Sequence, residues 1–425
     1  MNKLSTRTWL SFILIGIVGQ FAWTIENMYF NVYLYNTIST DPSYIAAMVA
    51  ASAVIATFTT LVMGALSDRI GKRKLLISTG YILWGLSTMA FGFISIKNIS
   101  VLFPAANAVA MAAVFLIIMD CIMTFFGSTA NDAAFNAYVT DMTNNNNRAK
   151  AESVLQILPL ISMLIIFGAF DSMTQQGKWQ EFFMIFGVMI TAVGILSLIL
   201  LKEPVLEKKS GSFSSNLIFG FKPLVIRENR KLYMALSALG LFSVSVQVFF
   251  PYFIIYLQNY LKIDAYALVL GIVMIVASIV SVISGRFIDK LGKLKFSLPA
   301  TGLMFTGLIG LYFARTMLIT ILFGIVMMSG YMLVVASLSA LVRDFTPRDQ
   351  VGHFQGIRMI FAVMLPMLIG PFIGAMVIKN SNSTYIELGI VKNVPTPSIF
   401  LASAIILLLV LLPIIKLKRS ATHEN

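Results

Sequence analysis

Gly64-Ala65-Leu66-Ser67-Asp68-Arg69-Ile70-Gly71-Lys72-Arg73-Lys74 separates two long apolar runs, and a second copy, Gly285 followed by Asp289-Lys290-Leu291-Gly292-Lys293-Leu294-Lys295, separates two more 221 positions later. The pattern is that of a short basic loop at a membrane surface. Gly71 permits a tight turn, and Asp68 can face a helix N-terminus or the neighbouring bases. Two further pairs flank it. Tyr29-Phe30-Asn31-Val32-Tyr33-Leu34-Tyr35-Asn36 recurs as Tyr252-Phe253-Ile254-Ile255-Tyr256-Leu257-Gln258-Asn259, and Ala137-Tyr138-Val139-Thr140-Asp141-Met142-Thr143 recurs as Ala340-Leu341-Val342-Arg343-Asp344-Phe345-Thr346. Order and spacing agree, so the chain reads as two halves of common origin in the same orientation.

Composition names the solvent. Of 425 residues 58% are apolar and 12% charged, about half the charged fraction of soluble domains, and the mean hydropathy is +0.87. Runs of about 20 apolar residues, enough to cross a bilayer, are placed at 9–35, 44–67, 75–94, 104–138, 151–170, 182–201, 232–261, 265–288, 296–313, 318–342, 354–378 and 399–415. The expected fold is an all-α membrane protein of twelve transmembrane helices in two pseudo-symmetric six-helix bundles. Its domains are a first bundle over 1–201, a polar, serine-containing cytoplasmic linker over 202–231 and a second bundle over 232–425. The first span continues past signal-peptide length without a cleavage site and is expected to be retained.

The net charge of +13 is a statement about topology. With the N-terminus inside, Lys and Arg fall on cytoplasmic segments, among them Arg69 with Lys72 to Lys74, Lys202 to Lys231, and Lys416 with Arg419, while the opposite side holds only Lys97, Lys178, Lys262, Arg315, Lys379 and Lys392. The positive-inside rule then puts both termini in the cytoplasm, and no nucleic-acid partner is called for. A single cysteine, Cys121, and two distant histidines, His353 and His423, leave no disulfide framework and no metal site. No cofactor is implied, and the strings of metalloproteases, serine hydrolases and P-loop enzymes do not occur, so an enzyme is not expected.

Ionisable groups at bilayer depth cost at least about 2.5–3.5 kcal/mol and are functional candidates for that reason. Glu26 lies mid-way along the first span, and Asp120 and Asp132 on the fourth. Gln20, Thr24, Asn27 and Asn31 share a face of span one; Asp120, Thr124, Gly127 and Asn131 share one of span four, with Asp132 and Asn136 beside it. Such stripes line a cavity or hydrogen-bond between helices. Trp23, Tyr29, Tyr33 and Trp84, with Tyr252 and Tyr256 beside Gln247 in span seven, could stack on a ring or a cation, and Arg358 in span eleven either binds solute or reaches outward. The Glu26 counterpart is Phe249, and those of Asn131 and Asp132 are Val334 and Val335. The first half is therefore expected to handle a cation and the second to supply apolar and aromatic contacts.

Gly64, Leu66, Asp68, Arg69, Gly71, Lys72 and Arg73 match the loop signature of the major facilitator superfamily, which this chain resembles over its whole length. The resemblance implies a secondary transporter with alternating access, in which this motif, with Asp289 and Gly292 in the second copy, forms a cytoplasmic gate. Within the superfamily, Asp132-Ala133-Ala134-Phe135 followed by Asp141 and Arg148 is similar to the glycoside-pentoside-hexuronide cation symporters, carriers of melibiose and sucrose. That likeness implies that Asp132 serves both cation and sugar binding; with the intramembrane acids Glu26 and Asp120 it makes up the expected cation-coupling group. Span two lacks the acidic pair of sodium-coupled members, which favours the proton over sodium. It also implies a small neutral solute such as a glycoside; the residues expected to bind it, from their polar and aromatic helix faces, are Gln20, Trp23, Asn27, Asn31, Asn131, Asn136, Gln247, Tyr252, Tyr256 and Arg358. The absence of mid-membrane Lys or Arg argues against phosphate esters and dicarboxylates. A proton-coupled exporter of lipophilic cations is the alternative. The expected setting is the cell membrane and the expected state a monomer, with solute, ion and lipid as partners.

Overall fold

The computed structural model describes residues 4–104, 107–144, 147–203, 221–347, 351–381, 383–387 and 390–422. Among the described residues, eleven helices are long and apolar enough to cross a membrane: Thr6–Ile38, Pro42–Ile70, Ala108–Met142, Lys150–Gln175, Trp179–Leu200, Arg230–Tyr260, Tyr266–Ser284, Lys293–Phe313, Met317–Phe345, Gly356–Asn380 and Ser398–Arg419. Arg73–Phe91, joined to Ile96–Leu102 across an 89° bend, brings the number to twelve. Below, the spans are numbered in chain order with Arg73–Phe91 as the third. Helix is the form that satisfies every backbone group within its own segment, which is why apolar length alone locates these elements.

Span five runs on to Gln175, past the end at Phe170 read from the sequence, and so includes Asp171. One feature departs from an all-α chain. Between spans eleven and twelve, Thr384–Glu387 and Ile390–Asn393 pair antiparallel, Thr384 opposite Asn393 and Ile386 opposite Val391. β-Branched residues in a segment outside the apolar runs favour this form.

The internal repeat is written into the backbone. Gly71 and Gly292, equivalent in the two motif copies, both take positive φ, 68° and 80°, a conformation that costs glycine little and other residues more. Span one carries a π-helical stretch at Leu34–Ile38 and span seven one at Tyr256–Tyr260; span five has Ile166–Phe170 and span eleven Ile360–Met364. Pro251 interrupts span seven, where Phe250–Tyr252 tightens to a 3₁₀ turn.

The chain divides into two compact units, Met1–Ser39 with Ala51–Phe213, and Thr40–Ala50 with Ser214–Asn425. In the first, spans three and six approach so closely that a Cβ on Gly85 would stand 2.5 Å from the Gly187 carbonyl oxygen. In the second, Gly370 and Gly374 lie against span seven, where a Cβ would meet Gln247 Cβ at 2.5 Å and the Val248 carbonyl oxygen at 2.2 Å. The first turns of span two group with the second unit. The Tyr252 hydroxyl lies 3.2 Å from the Pro42 carbonyl oxygen, and Lys379 pairs with Asp41 at 3.0 Å.

Candidate functional site

The first unit gathers the three carboxylates expected from the sequence. Glu26, 8% exposed, sits in a π-helical stretch, Ile25–Tyr29, of span one. Asp120, 2% exposed, lies on the regular part of span four, and Asp132 within that span's π-helical stretch Ser128–Phe135. π-Inserts of this kind recur at functional sites because the extra residue re-aims side chains. Thr124 Oγ1 on span four donates to Glu26 Oε1 on span one at 2.9 Å, and Ser52 on span two hydrogen-bonds Asp120. Asp132 accepts from Ser128 Oγ at 3.2 Å and from Asn131 Nδ2 at 3.4 Å. Glu26 feels the charge of Asp120 and, less strongly, of Asp132.

Two acceptors of this group have no partner among the described residues, Glu26 Oε2 and Asp120 Oδ1. A third is Asn31 Oδ1. The polar stripe of span one explains it: Thr24 Oγ1 donates to the Gln20 carbonyl at 2.8 Å, Asn27 Nδ2 to Trp23 at 2.8 Å and Asn31 Nδ2 to Asn27 at 2.9 Å. One amide N–H of each asparagine is spent on its own helix. Asn31 therefore offers its oxygen and one remaining N–H elsewhere.

Tyr81 and the tryptophans fix the arrangement. The Tyr81 hydroxyl lies 2.9 Å from the Ile15 carbonyl oxygen and 3.0 Å from Asn131 Oδ1, and Gly19 leaves room for this junction, since a Cβ there would stand 2.5 Å from that hydroxyl. Trp23 and Trp84 pack with ring centroids 5.0 Å apart. Gly127 lies against both; a Cβ on it would be 2.7 Å from Trp84 Cε2 and 3.2 Å from Trp23 Cη2.

Next to this cluster a cavity of about 410 Å³ opens between spans one, four and five, lined on its polar side by Gln20, Asn131, Asn136, Thr140, Glu152 and Gln156. The size falls within the range of small-ligand sites. Glu152 and Gln156 were not picked out in the sequence, because Glu152 follows Arg148 and Lys150 and reads as part of a charged loop. Their spacing of four, which puts both on one helix face, was the available signal.

The remaining expected residues are distributed as follows. Tyr29 is fully buried; its hydroxyl donates to Asp171 Oδ1 at 2.9 Å, and Gln175 Nε2 donates to Asp171 Oδ2 at 2.7 Å. Asp171, like Glu26 and Asp120, is thus a buried acid, hidden in the sequence by ending the span too early. Gln247, Tyr252, Tyr256 and Arg358 belong to the second unit. Tyr252 is buried and donates to the Pro371 carbonyl at 2.8 Å, Tyr256 stacks on Tyr260, and Arg358 is exposed.

In the basic loop, Arg73 is the centre. It is buried, and its guanidinium donates to Asp141 Oδ2 at 2.9 Å, to Ser67 Oγ at 2.6 Å and to Asp68 Oδ1. Spans two, three and four are tied together by this one side chain. Arg69 is exposed, and a Cβ on Gly64 would meet nothing within 4 Å. In the second copy Lys293 takes the pairing role, holding both oxygens of Asp344 at 2.8 and 2.6 Å. The Asp289 side chain lies outside the described residues.

A profile of the major facilitator superfamily matches residues 12–371. The chain belongs to that superfamily. Superfamily members with solved structures share its architecture: a single-residue variant of the nucleoside transporter NupG superposes with a TM-score of 0.73 at 13% identity, covering 97% of this chain and 98% of the other. The xylose transporter XylE from E. coli, in a partially occluded inward-open conformation, gives 0.66 at 13% identity, covering 96% and 98%. By sequence, a Staphylococcus aureus (strain COL) protein provisionally named a proline/betaine transporter is 23% identical over 254 residues, 57% of this chain and 52% of the relative. The chain therefore spans about half the length of the curated relatives it matches. It is a multi-pass membrane protein with the major facilitator fold.

Proposed function

We propose that this member of the superfamily is a proton-coupled symporter of a small solute without net negative charge, with Glu26, Asp120 and Asp132 as the coupling group and the cavity beside them as part of the solute path. One observation carries the proposal: three carboxylates lie together in one unit, and no Lys, Arg or His among the described residues pairs with any of them. Ionised carboxylates taken out of water cost several kcal/mol each unless a counter-charge accompanies them. A cation must enter with the negative charge, and the partnerless Glu26 Oε2 and Asp120 Oδ1 are where it would be held. The lack of any acid over residues 44–67 of span two favours the proton over sodium.

For the solute, the amide and hydroxyl lining of Gln20, Asn131, Asn136 and Thr140 suits a polyhydroxylated molecule such as a glycoside. The Asp132 to Phe135 segment, with Asp141 and Arg148, supports the glycoside-pentoside-hexuronide branch. The solutes in the names of the relatives, a nucleoside, xylose and proline or betaine, are likewise small and polar. The distribution of basic loops supports a cell-membrane location with cytoplasmic termini, and the protein is taken to act as a monomer.

The test is uptake by proteoliposomes under an inward proton gradient, with a panel of radiolabelled glycosides. Glu26→Gln and Asp120→Asn should abolish gradient-driven accumulation while leaving solute exchange at equal concentrations. Accumulation at the wild-type level in both variants would refute the coupling group. A second reading rests on the Trp23–Trp84 pair in the same unit as the acids, an arrangement that also suits a lipophilic cation. Extrusion of a cationic dye against the gradient, with no glycoside uptake, would select it.

A further inference from the structure

At the opposite end of the chain, the second unit holds a small pocket of about 80 Å³ between spans seven, ten and eleven. Its floor is apolar and buried: Leu232, Leu236, Val342 and Phe354. Its rim is Arg343, Thr346 and Arg358. The two arginines are close enough for their charges to repel one another, and neither has a carboxylate partner among the described residues. The acid next in sequence to Arg343, Asp344, is already held through both oxygens by Lys293. Thr346 Oγ1 donates to the Val342 carbonyl at 2.6 Å, so its hydroxyl hydrogen is taken up within its own helix and the arginines are the donors the rim offers.

Two arginines on the rim of an apolar floor, with no counter-ion among the described residues, form a positive site. Two like charges side by side raise the local positive potential and favour an anion there, and arginine forks match the geometry of oxyanions better than a point charge does. We propose that Arg343 and Arg358 bind an oxyanion, the phosphate or carboxylate group of a ligand whose apolar portion rests on Leu232, Leu236, Val342 and Phe354. The pocket has room for such a group: one water requires roughly 10–15 Å³, and the space is several times that. It is too small for a whole glycoside, and both arginines stand near span ends rather than at mid-membrane depth. The site is thus separate from the coupling group and independent of the reading given for it.

The oxyanion has two sources, a soluble anion or the headgroup of an anionic phospholipid. Full-length protein in phosphatidylcholine nanodiscs, titrated with inorganic phosphate and followed by thermal unfolding, reports the first. Native mass spectrometry of protein taken from phosphatidylglycerol against phosphatidylcholine vesicles reports the second. Binding in either arm, weakened at least tenfold by Arg343→Gln or Arg358→Gln and unchanged by the control Arg315→Gln, is the expected result. A phosphate response locates the ligand in solution, and retained phosphatidylglycerol without one locates it in the bilayer. Should the glutamine variants fail to fold, Arg343→Lys with Arg358→Lys keeps the charge and removes the fork, and it must still weaken binding severalfold. No response in either arm, or equal binding by wild type and variants, overturns the proposal.

Discussion

Replacing Arg73 by alanine removes the side chain that joins spans two, three and four. Its three partners are not equal. Asp68 is 51% exposed, so its share of the ion pairing is at most about 1 kcal/mol. Asp141 is 18% exposed, and Ser67 is fully buried; both lose their partner in a site water reaches poorly. Orphaning a buried polar group costs about 1–3 kcal/mol, more when it is charged, so the sum for Arg73→Ala is about 3 kcal/mol, at the low end for breaking a buried ion pair. In a unit of this size each kcal/mol lowers the midpoint by roughly 2–4 °C, which puts the expected fall at about 6–12 °C. The assay is thermal unfolding of purified protein in one detergent, read by tryptophan fluorescence. Asp141→Asn should cost more than half as much and Asp68→Asn less than about 3 °C. Arg73→Lys keeps the charge but not the three-way geometry and should fall between. A midpoint for Arg73→Ala within 2 °C of wild type, or equal losses for Asp68→Asn and Asp141→Asn, would refute this account of the loop.

Gly127→Ala drives a Cβ into the face of Trp84 at 2.7 Å, a ring buried on all sides, and should destabilise by about 1–3 kcal/mol through overpacking; Trp84→Phe, with its smaller ring, should recover part of the loss in the double variant, as seen in the same melting assay. Asp41 lies outside the spans. Burial raises its carboxyl, but the Ser43 backbone N–H and Lys379 outweigh this and hold it below its usual value. A depressed folded value stabilises at pH above the unfolded value, and the benefit is lost as pH falls through the folded one. The gap in melting temperature between wild type and Asp41→Asn should therefore be constant above about pH 5 and close below about pH 4. Because both partners are about half exposed, the gap should be small; a gap that widens on acidification would contradict the pairing.

The fold was legible in the sequence to an unusual degree, and the candidate site only in part. Glu26, Asp120 and Asp132 stood out because charge is rare in these spans, and all three lie in one unit. The asparagine stripe of span one was legible as a stripe, yet not that Asn27 and Asn31 turn their nitrogens back onto their own helix. Asp171 was hidden because a polar tail at the end of span five resembles a loop. Glu152 and Gln156 were hidden because a helix entering from a basic segment does not look like a cavity wall. Arg358 was singled out for itself; Arg343, from a different span, becomes its neighbour only in three dimensions.

Number and placing of the spans, the duplication and the basic loops follow from sequence alone, because hydrocarbon leaves backbone polar groups no partner outside a helix, so apolar length and glycine turns suffice to mark each crossing. Which polar groups meet was decided by the tertiary structure. A π-insert such as Ser128–Phe135 adds a residue to a turn and rotates everything beyond it by roughly 100°, the angle between successive residues. No periodicity read along one helix can foresee that rotation, and still less which neighbouring span will supply the oxygen or the guanidinium that completes a site.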